Sequence, residues 1–504
     1  MAAAATAATV PNTKDTDDTQ KSSPSKTSFS TWFIRLLPAI LFASYVYSTR
    51  GPFQSRVCLA FGYGCRTFDP LHVQGTIDTD RSKIYGPVVD YYYSLFTNHE
   101  DLGGSLAVFV GGKPVIDIFA GSKDLEGRVP YDNRTLQQVY SSGKAVEGIV
   151  IARLVQKGLL DYDAKVSQYW PEFAQNGKEN VRLVDVMAHE SGVFHVDSDN
   201  EDLTWSSLQD KDSFSERLAK QRHYFGGDIK RAYHAVTRGW YLNEIVRRVD
   251  PHARTIGRIA KEELMVDYPD LELHYSHFDD DNDWETRLSP MVEYPVLRII
   301  GRLFLPRFLQ TNEYIGHRDI QPLHPLVGQL IRKWSTISKA LTPPMAPFAK
   351  DFRTKQAHAT ESTSFSLKTN AHSLAKLMAM MANKGASIHP GQEPDLLVTN
   401  VYTDATTYHS TRPCTITYEV LPLSRGGWIK DRNFHGEGAL KGVEVQGWGG
   451  AGGSLALWIE ELDIGFSYVT NAFGAAEAVL GDFRGRTLLE KVVYARKKEL
   501  GLLS

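Results

Sequence analysis

Apolar and polar positions divide the chain into stretches of different kinds. From Met1 to about Ser30, Ala, Thr, Ser, Lys and Asp dominate and large apolar side chains are almost missing. Such a stretch cannot bury enough surface to fold and reads as a disordered tail, 1–30. Between 31 and 48 the chain turns apolar (TWFIRLLPAILFASYVY), broken only by Arg35 and Pro38. This run is a little shorter than the roughly 20 residues that span a bilayer, and predicts a single-pass N-terminal membrane anchor. A helix packed on the globular domain is the alternative. The long tail before it argues against secretory cleavage; Asp15, Asp17 and Asp18 argue against a mitochondrial presequence, which stays as the alternative location.

Folded patterning spans 69–500. Ser105 to Val110 and Val115 to Phe119 are β-rich runs around a Gly/Pro turn, predicting a hairpin. Ser141 to Lys157 carries Val146, Ile149, Val150 and Leu154 at helical spacing, predicting a buried helix after it. Near the other end, Ser454 to Ile459 and Ile464 to Val469 flank a polar turn as a second hairpin, and a closing helix is expected from about Gly485 to Leu500. Strands at both ends and a mostly helical middle predict an α+β fold: one antiparallel sheet built from distant segments, flanked by terminal helices, beside a mostly helical lobe.

Composition narrows the function. The 504 residues are 42% hydrophobic and 23% charged with a formal charge of -3, which leaves no field for capturing nucleic acid. The 3 cysteines, Cys58, Cys65 and Cys414, are too few for a disulfide framework and lack zinc spacings; a Cys58–Cys65 bridge and two free thiols are both open. His189-Glu190 followed by His195 misses the His-Glu-x-x-His spacing, so no metal and no cofactor is expected.

Three segments carry candidate chemistry. In Ser141-Ser142-Gly143-Lys144, a three-residue step on a helical start puts serine and amine on one face, about 5–6 Å apart between Cβ atoms. A serine hydroxyl needs a base, and lysine serves only if burial and neighbouring charge bring its pKa down from ~10.4 toward ~7–8. Free amides at the helix start make the Ser141 N–H an oxyanion donor. The alternative is an N-cap with an exposed lysine. Tyr233, in AlaTyrHisAlaValThrArgGlyTrp, can relay a proton if it lies beside that lysine; a buried core tyrosine is the alternative. Trp448, Gly449, Gly450 and Ala451, within Gly447 to Ser454, match GxGxxG, but a strand follows where a dinucleotide site needs a helix. The Ala451 amide is a second oxyanion candidate, against a plain glycine-rich bulge. Val296 to Leu309 is apolar with Arg298 and Arg302 one turn apart, which suits either a membrane-surface helix or a lid or core helix.

In this order, roughly 90 and 215 residues apart, the three segments resemble the serine β-lactamase and penicillin-binding-protein superfamily, specifically its class C-like carboxylesterase branch. HisValGlnGlyThrIleAsp (72–78), the GlyGlyLysProValIleAspIle hairpin and AspValMetAlaHisGluSerGlyVal (185–193) extend the resemblance over about 69–500. It implies a two-lobed fold with Ser141 as nucleophile, Lys144 and Tyr233 as the acid/base pair, and a cleft lined by the Trp448 to Ala451 segment. It also implies that the His189 stretch is a structural turn. Two departures bear on substrate. Trp448 replaces the lysine that opens the lactamase third motif, placing an indole toward the cleft, and Ala235 replaces the asparagine of Tyr-x-Asn. Losing a cation for a substrate carboxylate removes a contact of roughly 1.5–3 kcal/mol. The expectation is a serine hydrolase cleaving small or lipid-like esters or amides through an acyl-enzyme on Ser141. An inactive scaffold of the same fold that self-assembles or binds peptides is the alternative, and oligomeric state stays open.

Overall fold

A period of two along the strands sorts side chains to opposite faces, and here both faces are apolar. In the computed structural model, nine strands form one antiparallel sheet: β1 (Gln74–Ile77), β2 (Gly103–Val110), β3 (Lys113–Gly121), β4 (Tyr408–Ser410), β5 (Leu423–Ser424), β6 (Ile429–Asp431), β7 (Val445–Gly449), β8 (Leu455–Ile459) and β9 (Ile464–Thr470), in spatial order β1-β3-β2-β9-β8-β7-β6-β5-β4. Described residues are 36–43, 73–124, 129–197, 203–276, 284–293, 354–416, 420–432, 434, 438–473 and 483–503. The tail 1–30, the Cys58 and Cys65 pair, and Val296 to Leu309 lie outside them.

Leu106, Val108 and Val110 of β2 and Leu455, Leu457 and Ile459 of β8 point to one core, closed by α1 (Ser82–Thr97) and the C-terminal α5 (Phe483–Glu499). The alternate residues Ala107, Phe109, Ala456 and Trp458 enter a second core with α2 (Gly143–Gln156), α3 (Thr237–Val249) and α4 (Ala371–Ala382) of the helical lobe. Each fully buried Leu, Val or Phe contributes about 1.5–3 kcal/mol. At the seam where the chain ends meet, Ser105 faces Val469 and Val108 faces Phe466. Helix α4 lies tight on β9 because Gly465 has no side chain; a Cβ there would lie 2.3 Å from the Ala379 nitrogen.

Both expected hairpins form. The β2–β3 turn is Gly111-Gly112, with φ of 62° and 71°, the double left-handed turn that suits twisted strands. The β8–β9 turn is a 3-10 turn, Glu460–Leu462, closed by Asp463 at φ 51°. The helix expected from Ser141 starts at Gly143 instead, after a single 3-10 turn, Tyr140–Ser142.

The expected membrane anchor is overturned. Of the run 31–48, the described residues 36–43 are helical. Among the described residues no helix is long and apolar enough to cross a membrane, so the single-pass anchor and the membrane location built on it do not stand.

Candidate active site

The site begins where a short strand, Leu136–Gln138, runs into a tight turn. That strand pairs with Lys368–Thr369 and Leu288–Ser289. Tyr140 then takes a left-handed φ of 48°, an unfavourable conformation for a bulky residue, which swings the chain into the 3-10 turn carrying Ser141. The glycine-rich loop after β7 clasps this turn. Ser142 donates to the Ser454 carbonyl at 3.0 Å, and the Ser454 hydroxyl donates to the Val139 carbonyl at 2.8 Å. Gly450 lies so close that a Cβ would meet the Val139 oxygen at 2.1 Å. The glycine therefore serves contact between loop and turn, a third role beside the bulge and substrate-approach readings. Next to it Ala451 is half-buried, and among the described residues its N–H donates no hydrogen bond.

Three side chains meet beside this loop. Ser141 Oγ lies 2.7 Å from Tyr233 Oη and 3.2 Å from Lys144 Nζ. Lys144, fully buried, also donates to the carbonyls of Ala235 at 2.8 Å and Ser364 at 2.9 Å. Burial holds its pKa well below the ordinary lysine value; Glu147 opposes this and Arg238 adds to it. In a neutral amine the two carbonyls take both N–H groups, which leaves the lone pair for the Ser141 hydroxyl. Tyr233, half-buried, has its phenol pushed up by burial, while its bond to Ser141 works the other way. Lys144 Nζ also stands 5.2 Å from the Tyr233 ring centre.

Trp448 stands elsewhere than expected. It is fully buried behind Tyr233, stacked on that ring at 6.0 Å, with its indole N–H donating to the Gly427 carbonyl at 2.7 Å, so it backs the phenol and does not open to the cleft. Gly449 is buried in β7, paired with Leu455. His189, at φ 61°, is the turn expected of it: its Nδ1 accepts from the His234 amide at 3.1 Å and its ring packs 5.0 Å from Tyr233. Burial keeps it neutral.

Sequence reasoning missed the groups behind the lysine: the Ala235 and Ser364 carbonyls and the buried pair Glu147–Arg238, joined at 2.6 Å. The available signal was a lysine and a glutamate one turn apart on an otherwise apolar helix. Away from this site, Asp185, Glu190 and His409 bring ligand atoms within 4.8 Å of one another. Arg231 and Arg412 already bind the Glu190 carboxylate at 3.0 and 2.6 Å and Arg182 binds Asp185 at 3.1 Å, so the cluster is an ion-pair knot with no charge left for a cation.

A family model described as Beta-lactamase matches residues 94–490. The chain belongs to the beta-lactamase family. Among curated relatives it is 38% identical over 179 residues to Esterase/beta-lactamase LipL of Mycobacterium tuberculosis, covering 35% of this chain and 40% of that one. It is 28% identical over 126 residues to human Serine beta-lactamase-like protein LACTB, mitochondrial, covering 23% of each. The aligned stretches thus span well under half the length of these relatives. Among solved structures, a family VIII carboxylesterase superposes with a TM-score of 0.67 at 21% identity over 84% of this chain and 99% of that one. A penicillin-binding-protein homologue from Caulobacter crescentus gives 0.63 at 23% identity, over 84% of this chain and 99% of that one. These likenesses establish the α+β family fold with its large antiparallel sheet.

Proposed function

We propose that this family member hydrolyses esters, or amides, through an acyl-enzyme on Ser141. The carrying observation is the environment of Lys144: two carbonyls and one serine hydroxyl, with no carboxylate in contact among the described residues. A buried amine so placed is disfavoured as a cation and suited to take the serine proton. Ser141 Oγ attacks the substrate carbonyl as its proton passes to Lys144, directly or through Tyr233. The negative oxygen of the tetrahedral intermediate is held by the Ser141 and Ala451 amides. Tyr233 or Lys144 returns the proton to the leaving oxygen or nitrogen, and water then releases the acid by the same steps in reverse.

Esters are favoured over lactams because position 448 offers a buried indole instead of a cation, and position 235 offers an alanine. Similarity to an esterase/beta-lactamase and to a family VIII carboxylesterase supports the same class. A fluorophosphonate probe should label the protein, and p-nitrophenyl esters should turn over; Ser141→Ala should abolish both. A wild-type protein that neither labels nor turns over would favour the scaffold reading.

A further inference from the structure

Behind Lys144 lies a charge pair that the proton-transfer scheme above does not use. Glu147, one turn along α2, and Arg238 of α3 are both sealed from solvent and joined at 2.6 Å. Taking two charges out of water costs several kcal/mol per ion, so such a pair is weak evidence for stability and invites a functional explanation. Its other bonds supply one. The second Glu147 oxygen accepts from the Thr363 hydroxyl at 2.6 Å and the Ser364 hydroxyl at 3.1 Å, and it is the Ser364 carbonyl that receives a Lys144 N–H. Arg238 sits three residues after Ala235, the other carbonyl on Lys144, and reaches the Lys144 carbonyl itself at 3.4 Å. Gly239 lets the 363–364 segment come in: a Cβ would meet Thr363 Oγ1 at 2.5 Å and Glu147 Oε2 at 3.0 Å.

We infer that Glu147 and Arg238 are a matched pair of positioning residues, whose bonds aim the Lys144 amine at Ser141 and whose opposite charges cancel at it. The inference rests on the proposed serine–lysine chemistry. Glu147 alone would hold Lys144 protonated; Arg238 alone would drive its proton off. The remaining titratable groups facing the amine are Tyr233 from the segment before α3 and, behind it, His189 and His234, both kept neutral by burial, His234 with its pKa lowered to about 3. The 363–364 segment presents hydroxyls and a carbonyl, and β7 presents the Trp448 ring at 5.9 Å. The pair is therefore the local source of fixed charge among the described residues.

The test is the pH dependence of p-nitrophenyl ester kcat/KM in Glu147→Gln, Arg238→Gln and the double variant. Arg238→Gln should move the acid limb up by about one pH unit or more, the size of a nearby-charge effect, and Glu147→Gln should move it down. The double variant should return it toward wild type. Shifts of the same sign, or lower rates with an unmoved limb, would overturn the inference. If Arg238→Gln does not fold, the sign for Glu147→Gln alone decides. Fluorophosphonate labelling that survives Ser141→Ala would instead refute the underlying serine chemistry, so the two failures are distinguishable.

Discussion

Lys144 on α2 and Lys376 on α4 are both buried in the helical lobe, yet their surroundings differ in kind. Lys376 reaches Asp270 at 2.6 Å and Glu393 at 2.5 Å, so its charge is answered on two sides. Lys144 meets two carbonyls and a serine hydroxyl. A third lysine, Lys178, sharpens the contrast: it meets the carbonyls of Gln175, Ala219 and Gln221, and burial lowers its pKa to about 8. Carbonyls accept but cannot donate, so Lys178 has no proton to receive. Burial makes an amine a poor cation; a neighbouring hydroxyl makes it a base.

Exchange of each lysine for the similarly shaped methionine is the strongest way to break this contrast. Lys144→Met should lower kcat/KM by about 10²–10⁴-fold, the range of general-base catalysis, with a smaller loss in urea stability than Lys376→Met because two carbonyls, and no carboxylate, lose a donor. Lys376→Met should leave turnover of the folded protein nearly intact while costing about 1–3 kcal/mol, since Glu393 loses its partner. Equal stability losses, with only a modest rate effect at Lys144, would erase the distinction.

A smaller effect tests how the glycine-rich loop is seated. Gly450→Ala forces a Cβ against the Val139 oxygen and should push loop and turn apart, lowering kcat by about 10²-fold, as a 1 Å misplacement does. Wild-type kinetics in that variant would mean that the contact relaxes without moving Ala451 or Ser141.

The smallest effect concerns charge that only holds the fold. His372 at the start of α4 lies 2.7 Å from Asp117 of β3 and 3.1 Å from Asp270, and these carboxylates raise its pKa from 6.5 to about 9 despite burial. A raised pKa means that the stabilisation is complete below the unfolded value and is lost as pH rises through the folded one. The melting temperature should therefore fall between about pH 6.5 and 9, and His372→Gln should flatten that slope without moving the acid limb of activity. An unchanged slope would assign the pH dependence to other groups.

Much of the sheet was legible because alternation and turn chemistry are local. Gly111-Gly112 and the runs beside it specify a hairpin whatever the rest of the chain does, and the pair Ser141 and Lys144 is close by spacing alone, although the helix begins two residues late at Gly143. The Trp448 side chain was misread: only the strand after the glycine-rich run was expected, not Val445–Gly449, which carries the indole, and which neighbour would cover it depends on Tyr233, 215 residues away. The Ser364 and Ala235 contacts to Lys144 went unseen because they are made by backbone carbonyls, which every residue has. The anchor was misread because an apolar run a little short of a bilayer span does not by itself specify a crossing helix, and among the described residues no helix is long and apolar enough to cross a membrane.

By itself, then, the sequence determined which residue types could do nucleophilic chemistry and which segments pair locally, because those depend on side-chain chemistry and on neighbours a few positions apart. Only the tertiary structure decided that Lys144 meets two carbonyls and a serine hydroxyl, that Tyr233 reaches Ser141 at 2.7 Å, and that Arg238 offsets Glu147 beside them. Proton affinity depends on burial and on charges a few ångströms away, and in this chain those come from segments up to some 220 residues apart.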